Sequence, residues 1–571
     1  MDSLLKSHAL LIESAVYAAQ SAGDLPQFTL PTIEIKPPSR PEMGDYAYAG
    51  ALAVSKVLGM KPIDIATAIA KHLKKPDFLS SIEVVPPGFV NFRLNSDWLR
   101  TQIDGIIAAG DSFGSIQIGT GKRAQVEFVS ANPTGPLHIG RSRGAIVGDT
   151  IARILEAAGY TVEREYYFNN AGTQMLYLGT SMRLRYLEAL GEAVEMPAAQ
   201  DETFYQGQYL VDFARDLVAE IGDAWKSMDW KPFKEYVEKR MFNVIKATLE
   251  RVNIRHDYFF NENSLYETEA VWETLSALES IDAIYSSPYR DTADDEEKAK
   301  KANMPSAKWF RSTRFGDVED RVVLRSDGSP TYTLPDIAYH MEKLSRGFDL
   351  LVNILGADHD TEHKVVKYGV GALGGDTSKI HVIILQFVRL IRQGKEVKMS
   401  TRRGNYETLD DLIDQTSADA VRYMLLARNA NSRLDFDLDL AVAQSSDNPV
   451  YYIQYAYVRT LGILREAELR GVSDDGADLS ILGAEELGFI KRCLTLGDEI
   501  LLSVAALEPH RIAFYAHELA SAFHPMYDRV RVFGEGVEPE VSRARLRFYR
   551  ATQTVFKRVL GLMGMSTPER M

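Results

Sequence analysis

Residues 126–141 read Val126-Glu-Phe-Val-Ser-Ala-Asn-Pro-Thr-Gly-Pro-Leu-His138-Ile-Gly140-Arg141. AQVEFVS (124–130) is an apolar run of strand length. After a Pro/Gly loop, Val147, Ile151, Ile154, Leu155 and Ala158 fall at helical spacing and end at Gly159. TVEREYYF (161–168) is the next strand. Strand, helix and strand within about 45 residues make a βαβ unit, which predicts a parallel, doubly wound sheet.

The loop between the first strand and the helix holds Asn132, Pro133, Gly135 and His138, and the helix is expected to open at Gly140. Small residues at a helix N-terminus let phosphate approach backbone donors that the helix dipole favours. A histidine there can stabilise charge developing on a phosphoryl group. A histidine that only caps the loop is the competing reading of the same residues.

A second stretch, Lys398-Met399-Ser400-Thr401-Arg402-Arg403-Gly404-Asn405, follows the apolar run VIILQFVRLI across a turn at Gly394. Three cations, a hydroxyl and a glycine suit a clamp on polyphosphate. Alone, it is an ordinary basic loop.

Working outward, residues 1–115 read as a small α/β unit, with helical spacing over Leu4–Ala22 and Tyr46–Lys75. In EVVPPGFVNFRL, strands are broken by Pro86-Pro87-Gly88. The glycine-rich 114–122 makes a linker. Residues 116–415 form the parallel-sheet unit, interrupted over about 185–310 by a polar, mainly helical insert. Sheet signals return at VVLRSDGSPTYTL, FDLLVNILGADH and KIHVIILQFVRLI. From 416 to 571 the pattern is a helix bundle. The whole is a multidomain α/β chain with a Rossmann-like core.

The 571 residues are 45% hydrophobic and 25% charged, which is ordinary globular composition and excludes disordered and collagen-like classes. One cysteine, Cys493, excludes a disulfide scaffold and a thiolate zinc cluster. No apolar run reaches membrane-spanning length. The opening residues read as an amphipathic helix rather than a signal peptide, so a cytoplasmic location is expected. Net charge is −14, although residues 541–571 carry seven basic side chains, among them Arg543, Arg547 and Arg550, against the single acid Glu569. That stripe reads as a solvated helix face by its patterning alone.

Two motif matches compete for function. Gly369-Val-Gly371-Ala-Leu-Gly374 fits a dinucleotide fingerprint but follows a helical pattern instead of opening one after a strand, so it reads as a helix-terminating turn. His359-Asp-Thr-Glu362-His363 has the spacing of an inverted zinc-protease pair. A solvated helix start and a substrate-lining role are its alternatives.

HIGR (138–141) followed far downstream by KMST (398–401) resembles the HIGH and KMSKS pair of class I aminoacyl-tRNA synthetases. VEFVSANPTGPLHIG, YYFNNAGTQ, RSDGSPTYTLPDIAYH and LGADH resemble the arginyl-tRNA synthetase family in particular. GDYAYAGALAVSK and PPGFVNFRL are similar to its N-terminal tRNA-binding domain, and ADAVRYMLLAR, NPVYYIQYAYVR and STPERM to its anticodon-binding bundle.

The resemblance implies ATP-dependent activation of arginine and its transfer to the 3′ end of tRNA(Arg). It implies magnesium with the ATP, no zinc, no membrane and a monomeric enzyme. It implies catalytic roles for His138, Gly140, Arg141, Lys398, Ser400 and Arg402. ATP would contact Pro133, Gly135, His138, Gly140, Lys398 and Met399. Arginine would contact Ser130, Asn132, Gln174, Tyr332, Asp336 and His359, with Asp336 the main specificity determinant because a guanidinium demands a carboxylate. Phosphate contacts would make tRNA binding fall steeply with salt. A chain ending near Asp414 is expected to keep the nucleotide site and lose tight tRNA binding.

Three residues depart from the pattern. Arg141 replaces the second histidine of HIGH, Thr401 replaces the second lysine of KMSKS, and Asn170 stands where aspartate is commoner. In this family a lysine upstream of HIGH can stand in for the lost cation, and Lys122 is the candidate. These departures keep open a non-catalytic tRNA-binding paralogue, beside a class I synthetase for another amino acid and, more remotely, a zinc hydrolase on HDTEH.

Overall fold

The structure is a computed structural model, and it describes residues 3–198, 201, 203–291, 296, 300–301, 304–397 and 408–571. The N-terminal unit contains α1 (Leu4–Ser21), β1 (Ile35–Lys36), β2 (Tyr46–Tyr48), α2 (Gly50–Leu58), α3 (Pro62–His72), β3 (Leu79–Val85), β4 (Phe89–Leu94) and α4 (Ser96–Ala109). Its antiparallel sheet has the order β1-β2-β4-β3. The helix expected over Tyr46–Lys75 therefore begins late, and breaks once. Tyr46, Ala47 and Tyr48 are all buried and pair with β4, and aromatic side chains packed on a pleated surface favour the strand.

The central sheet is parallel throughout, in the order β12-β11-β5-β6-β7. It uses β5 (Arg123–Glu127), β6 (Thr161–Phe168), β7 (Tyr258–Asn261), β11 (Leu350–Gly356) and β12 (Ile380–Leu385). Helix α5 (Ile139–Ala157) crosses from β5 to β6. The neighbours of β5 are β6 and β11, so strand order reverses at β5, and the crevice beyond its carboxyl end is where such sheets bind ligands.

The stretch 185–310 does contain helices, completing α6 (Thr173–Ala189) and adding α7 (Gln208–Ile221) and α8 (Trp230–Arg251). It also supplies β7, so the excursion from the sheet ends earlier than expected. YFFN was hidden as a strand because it is short and lies between polar helical stretches. Beyond it come α9 (Asn263–Glu267), α10 (Ala270–Ser280) and a small antiparallel sheet of β8 (Ile284–Ser287), β9 (Ala307–Phe310) and β10 (Arg321–Leu324). Of PTYTL, Pro330 makes a lone antiparallel bridge to Leu324, and α11 (Thr333–Ser345) begins within the stretch. Helix α12 (Glu362–Ala372) holds the GVG of the rejected fingerprint in its last turns.

After β12 the chain forms β13 (Val388–Arg392) and β14 (Lys395–Val397), an antiparallel pair around Gly394. Helices α13 (Leu409–Gln415) and α14 (Ala418–Leu426) precede β15 (Leu434–Asp437), which returns to pair with β13. A boundary at 415/416 would thus cut through a sheet. After α15 (Leu438–Val442), the bundle itself comprises α16 (Pro449–Arg470), α17 (Ala484–Leu494), α18 (Leu496–Ala506), α19 (His510–Arg529) and α20 (Pro539–Leu562).

The stretch between the parallel sheet and the bundle is bolted to α5 by buried charge. Arg143 of α5 is about 1% exposed and donates to the carbonyls of Gln386, Arg428, Asn429, Ala430 and Ser432. Arg422 of α14 pairs with Asp149 of α5 at 2.5 Å. A chain ending near Asp414 would strip Arg143 of four of its five carbonyl acceptors, leaving Gln386, and would take Arg422 from Asp149, leaving Arg153 and Arg164. The helix capped by His138 would thus lose much of its buried anchorage in the chain that the sequence reading expects to keep the nucleotide site.

The N-terminal unit docks on the same bundle. Asp498 of α18 accepts from Ser3 Oγ (2.5 Å), Leu5 N (3.0 Å) and Tyr46 Oη (3.1 Å). The basic stripe of α20 lies along this seam. Arg547 bonds Asp104 at 2.7 Å, Lys557 reaches Asp111, and Arg558 donates to the Phe113 carbonyl. Arg545 pairs with Glu486 and Arg550 with Asp474. The stripe is an intramolecular clamp rather than a solvated face.

Candidate active site

The cleft sits at the switch point beside β5. It measures about 750 Å³. Its floor is the turn after β5, where Val129 and Ser130 adopt φ of 72° and 43°. Left-handed backbone costs a non-glycine residue on the order of 1–3 kcal/mol, and such strain is concentrated at functional sites. Here it seats Ser130 Oγ between two strands: it donates to Glu127 Oε1 at 2.9 Å and accepts from Tyr167 N at 3.2 Å.

Asn132 organises one wall. Its Oδ1 accepts from Asn169 N at 3.0 Å, and its Nδ2 donates to Gln174 Oε1 at 3.0 Å. Asn170 turns away from the cleft and donates to Glu238 of α8 at 2.9 Å. That departure from the family pattern is therefore answered by a contact to the neighbouring helix.

Helix α11 forms the opposite wall. Tyr332 precedes its first residue and is 71% exposed, open to the cleft instead of packed. Asp336, one turn on, faces the same space. Burial, followed by the negative charges of Glu127, Glu262 and Glu362, raises its carboxyl to about 8. The cleft therefore gathers carboxylates with too little positive charge among them. Burial also raises Glu262, which accepts from Tyr167 Oη at 2.7 Å. His359 lines the rim with its Nδ1 2.9 Å from Glu362 Oε2, and His363 Nδ1 donates to the His359 carbonyl at 3.1 Å.

His138 is the N-cap of α5, its Nδ1 accepting from Gly140 N at 3.0 Å. Burial, and then the charge of Arg141, lower its pKa, so the ring is a neutral imidazole with its proton on Nε2. A Cβ on Gly140 would lie 3.2 Å from His138 Nδ1, tight enough to disturb this cap. Arg141 lines the cleft itself. Pro133 and Gly135 lie on the loop between β5 and α5, held by Tyr209 of α7, whose hydroxyl donates to the Thr134 carbonyl at 2.5 Å. Lys122 precedes β5, whose five residues separate it from the cleft by roughly 16 Å at about 3.3 Å per residue. It cannot stand in for the missing cation.

Lys398, Met399, Ser400 and Arg402 lie outside the described residues. Both flanks of their segment are described. Val397 of β14 precedes the segment and Thr408 follows it; Thr408 bridges His138 in antiparallel fashion, while Leu409 N donates to the Leu137 carbonyl at 2.8 Å. The described flank at Thr408 thus lies against His138, 270 residues earlier in sequence.

The structure adds site residues that pattern reading passed over: Glu127, Tyr167, Glu262, Tyr339 and Lys343. Their signal was present. Glu127 and Asn353 are polar residues inside apolar strands, where a lone polar side chain needs a partner.

Comparisons with known proteins agree along the chain. Residues 10–94 match the family described as arginyl tRNA synthetase N terminal domain, 102–446 the tRNA synthetases class I (R) catalytic domain, and 453–571 the DALR anticodon binding domain. The arginine–tRNA ligase of Salinibacter ruber is 42% identical over 557 residues, covering 94% of this chain and 96% of its own length. That of Desulfitobacterium hafniense (strain DSM 10664 / DCB-2) is 38% identical over 570 residues, with 98% of each covered. Among solved structures, a putative arginyl-tRNA synthetase from Campylobacter jejuni superposes with a TM-score of 0.73 at 31% identity, over 84% of this chain and all of that one. The Thermus thermophilus arginyl-tRNA synthetase gives 0.74 at 19% identity over the whole of both chains, a likeness of fold.

Proposed function

Because the chain belongs to the arginyl-tRNA synthetase family, we propose that it activates arginine with ATP and transfers the arginyl group to the 3′ end of tRNA(Arg). The observation that carries this reading is the carboxylate-lined cleft. Asp336, Glu127 and Glu262 face a space next to a helix N-terminus, and a guanidinium with an α-amino group supplies the charge they lack.

The chemistry is positioning and charge stabilisation. The carboxylate of arginine attacks the α-phosphorus of ATP, giving arginyl-adenylate and pyrophosphate. A ribose hydroxyl of the tRNA then attacks the acyl carbon and AMP leaves. Asp336 and Tyr332 hold the guanidinium end, while Ser130, Asn132, Gln174 and His359 line the remainder. Nε2–H of His138 and the Arg141 fork are the donors for α-phosphate charge, close to the opening turn of α5. Lys398, Ser400 and Arg402 would grip the leaving pyrophosphate, with Met399 against the nucleotide. Magnesium enters as part of the ATP substrate.

Tyr451 and Tyr455 of α16 stack at 5.8 Å, and Arg459 lies 4.6 Å from the rings of both Tyr455 and Tyr527. Half-buried aromatics with a neighbouring cation suit unpaired bases, and this face of the bundle is the proposed anticodon contact. The three-part organisation, a monomeric state and a cytoplasmic location complete the reading. No described helix is long and apolar enough to cross a membrane.

Charging of tRNA(Arg) transcript with labelled amino acids tests it. Arginine should be incorporated and lysine should not. Incorporation of another amino acid in preference to arginine would overturn the assignment.

A further inference from the structure

We propose that Lys343, which touches neither substrate, is a positioning residue that sets the charge and aim of Glu127 and thereby the affinity of the cleft for arginine. The inference rests on the arginine-activating function above. Lys343 is the one lysine buried among the described residues, and its side chain has no exposure. A lysine is almost never fully buried without partners. Its ammonium lies 2.5 Å from Glu127 Oε2 and 2.9 Å from Asn353 Oδ1, and sits 4.2 Å from the centre of the Tyr339 ring.

The groups around Glu127 come from four elements. Ser130, after β5, bonds its other oxygen, and Tyr339 of α11 donates to it at 3.3 Å. Glu165 and Tyr167 of β6 flank it, with Tyr339 also donating to Glu165. Asn353 of β11 passes its Nδ2 to His340 Nε2 at 2.7 Å, and His340 Nδ1 donates to the Asp336 carbonyl at 2.8 Å. His340 relays hydrogen bonds between Asn353 and Asp336, and burial, followed by the Lys343 charge, pushes its pKa down to about 4. Burial alone would raise Glu127; the Lys343 ammonium, with smaller help from His340 and the Ser130 hydroxyl, brings its carboxyl below the ordinary value.

Through these bonds Lys343 reaches the cleft twice. One path runs through Glu127 to Ser130, and the other through Asn353 and His340 to the backbone of Asp336. Both ends, Ser130 and Asp336, line the cleft on the side where the amino acid is proposed to bind. A buried ammonium that only balanced a buried carboxylate would have no such directional effect on substrates.

The test measures arginine-dependent ATP–pyrophosphate exchange with tRNA for wild type, Lys343→Met and the double variant Lys343→Met/Glu127→Gln, with thermal melting of each. Lys343→Met should raise the KM for arginine by about 30-fold, the scale of one lost charge-assisted hydrogen bond, and change that for ATP less than about threefold. Removing both charges should recover the melting temperature lost in the single variant, because no lone buried charge remains. It should leave the KM for arginine high. A double variant with wild-type KM for arginine, or a single variant that raises both KM values equally, would overturn the proposal. Wild type without arginine-dependent exchange would instead sink the underlying function and is separately visible.

Discussion

Thr408 forms an antiparallel bridge with His138, so the chain returning from the KMST segment is pinned to the residue that caps α5. The pin is reinforced by a capping box in which Thr408 and Asp411 exchange hydrogen bonds at the start of α13. Arg251 of α8 holds the next turns through Asp410 and Asp414. Disturbing this return should act on the nucleotide side. Thr408→Ala removes a cap of about 1 kcal/mol and should raise the KM for ATP several-fold with little change for arginine, as measured by exchange kinetics.

Asp336→Asn keeps size and removes the charge opposing the guanidinium. Transition-state stabilisation should fall by on the order of 2–4 kcal/mol, seen chiefly in kcat/KM for arginine. Unchanged arginine kinetics in this variant would remove Asp336 from the pocket.

The same residue makes a pH prediction with a definite sign. Burial and the neighbouring carboxylates push the Asp336 carboxyl up to about 8, above an ordinary carboxylate. Guanidinium binding must expel that proton, so the KM for arginine should fall as pH rises toward 8 and level off above it. The folded value also exceeds the unfolded one. Its stabilising contribution is full below about pH 4 and is lost as pH rises through 8. Asp336→Asn should therefore melt higher than wild type at pH 9 and show less difference at pH 5, in the absence of arginine.

Arg141 lines the cleft beside a neutral His138, and it is the cation that occupies the unusual position of the motif. Arg141→Ala should lower kcat by roughly 10²-fold, as for other transition-state donors. Arg141→His decides whether a group was lost or exchanged. A histidine variant much faster than wild type would show that Arg141 is no working substitute.

The bundle yields a contrast between two arginines. Arg547 is committed to Asp104 and Asp474, whereas Arg459 stacks between Tyr455 and Tyr527 with a long ion pair, 3.7 Å, to the exposed Asp528. Tyr455→Ala and Arg459→Ala should weaken tRNA binding, with base stacking worth about 1–3 kcal/mol. Arg547→Ala should leave binding and its salt slope within about twofold while loosening the N-terminal unit, detectable by limited proteolysis. Equal losses from Arg547 and Arg459 in filter binding would return the α20 stripe to the tRNA interface.

Much of the core was legible because its elements satisfy one local rule each. TVEREYYF is β6 from end to end, and the apolar spacing after His138 is α5 to within a residue or two. Tyr46–Tyr48 failed that rule, since neighbouring alanines and apolar residues continue a helical period that tertiary pairing overrides. Arg547 could not be read at all. Its partner Asp104 lies over 440 positions away, and nothing local separates a clamp from a solvated stripe. Asp336 was reached through resemblance, but the reason it matters depends on Glu127, Glu262 and Glu362, which converge only in the fold.

The central claim is that this cleft activates arginine. ATP–pyrophosphate exchange measured with and without arginine, and with and without tRNA(Arg), tests it most directly. Exchange should require arginine and, as the family resemblance implies, cognate tRNA. Exchange that ignores arginine, or none under any condition with intact tRNA binding, would contradict the account and identify a tRNA-binding protein without ligase chemistry.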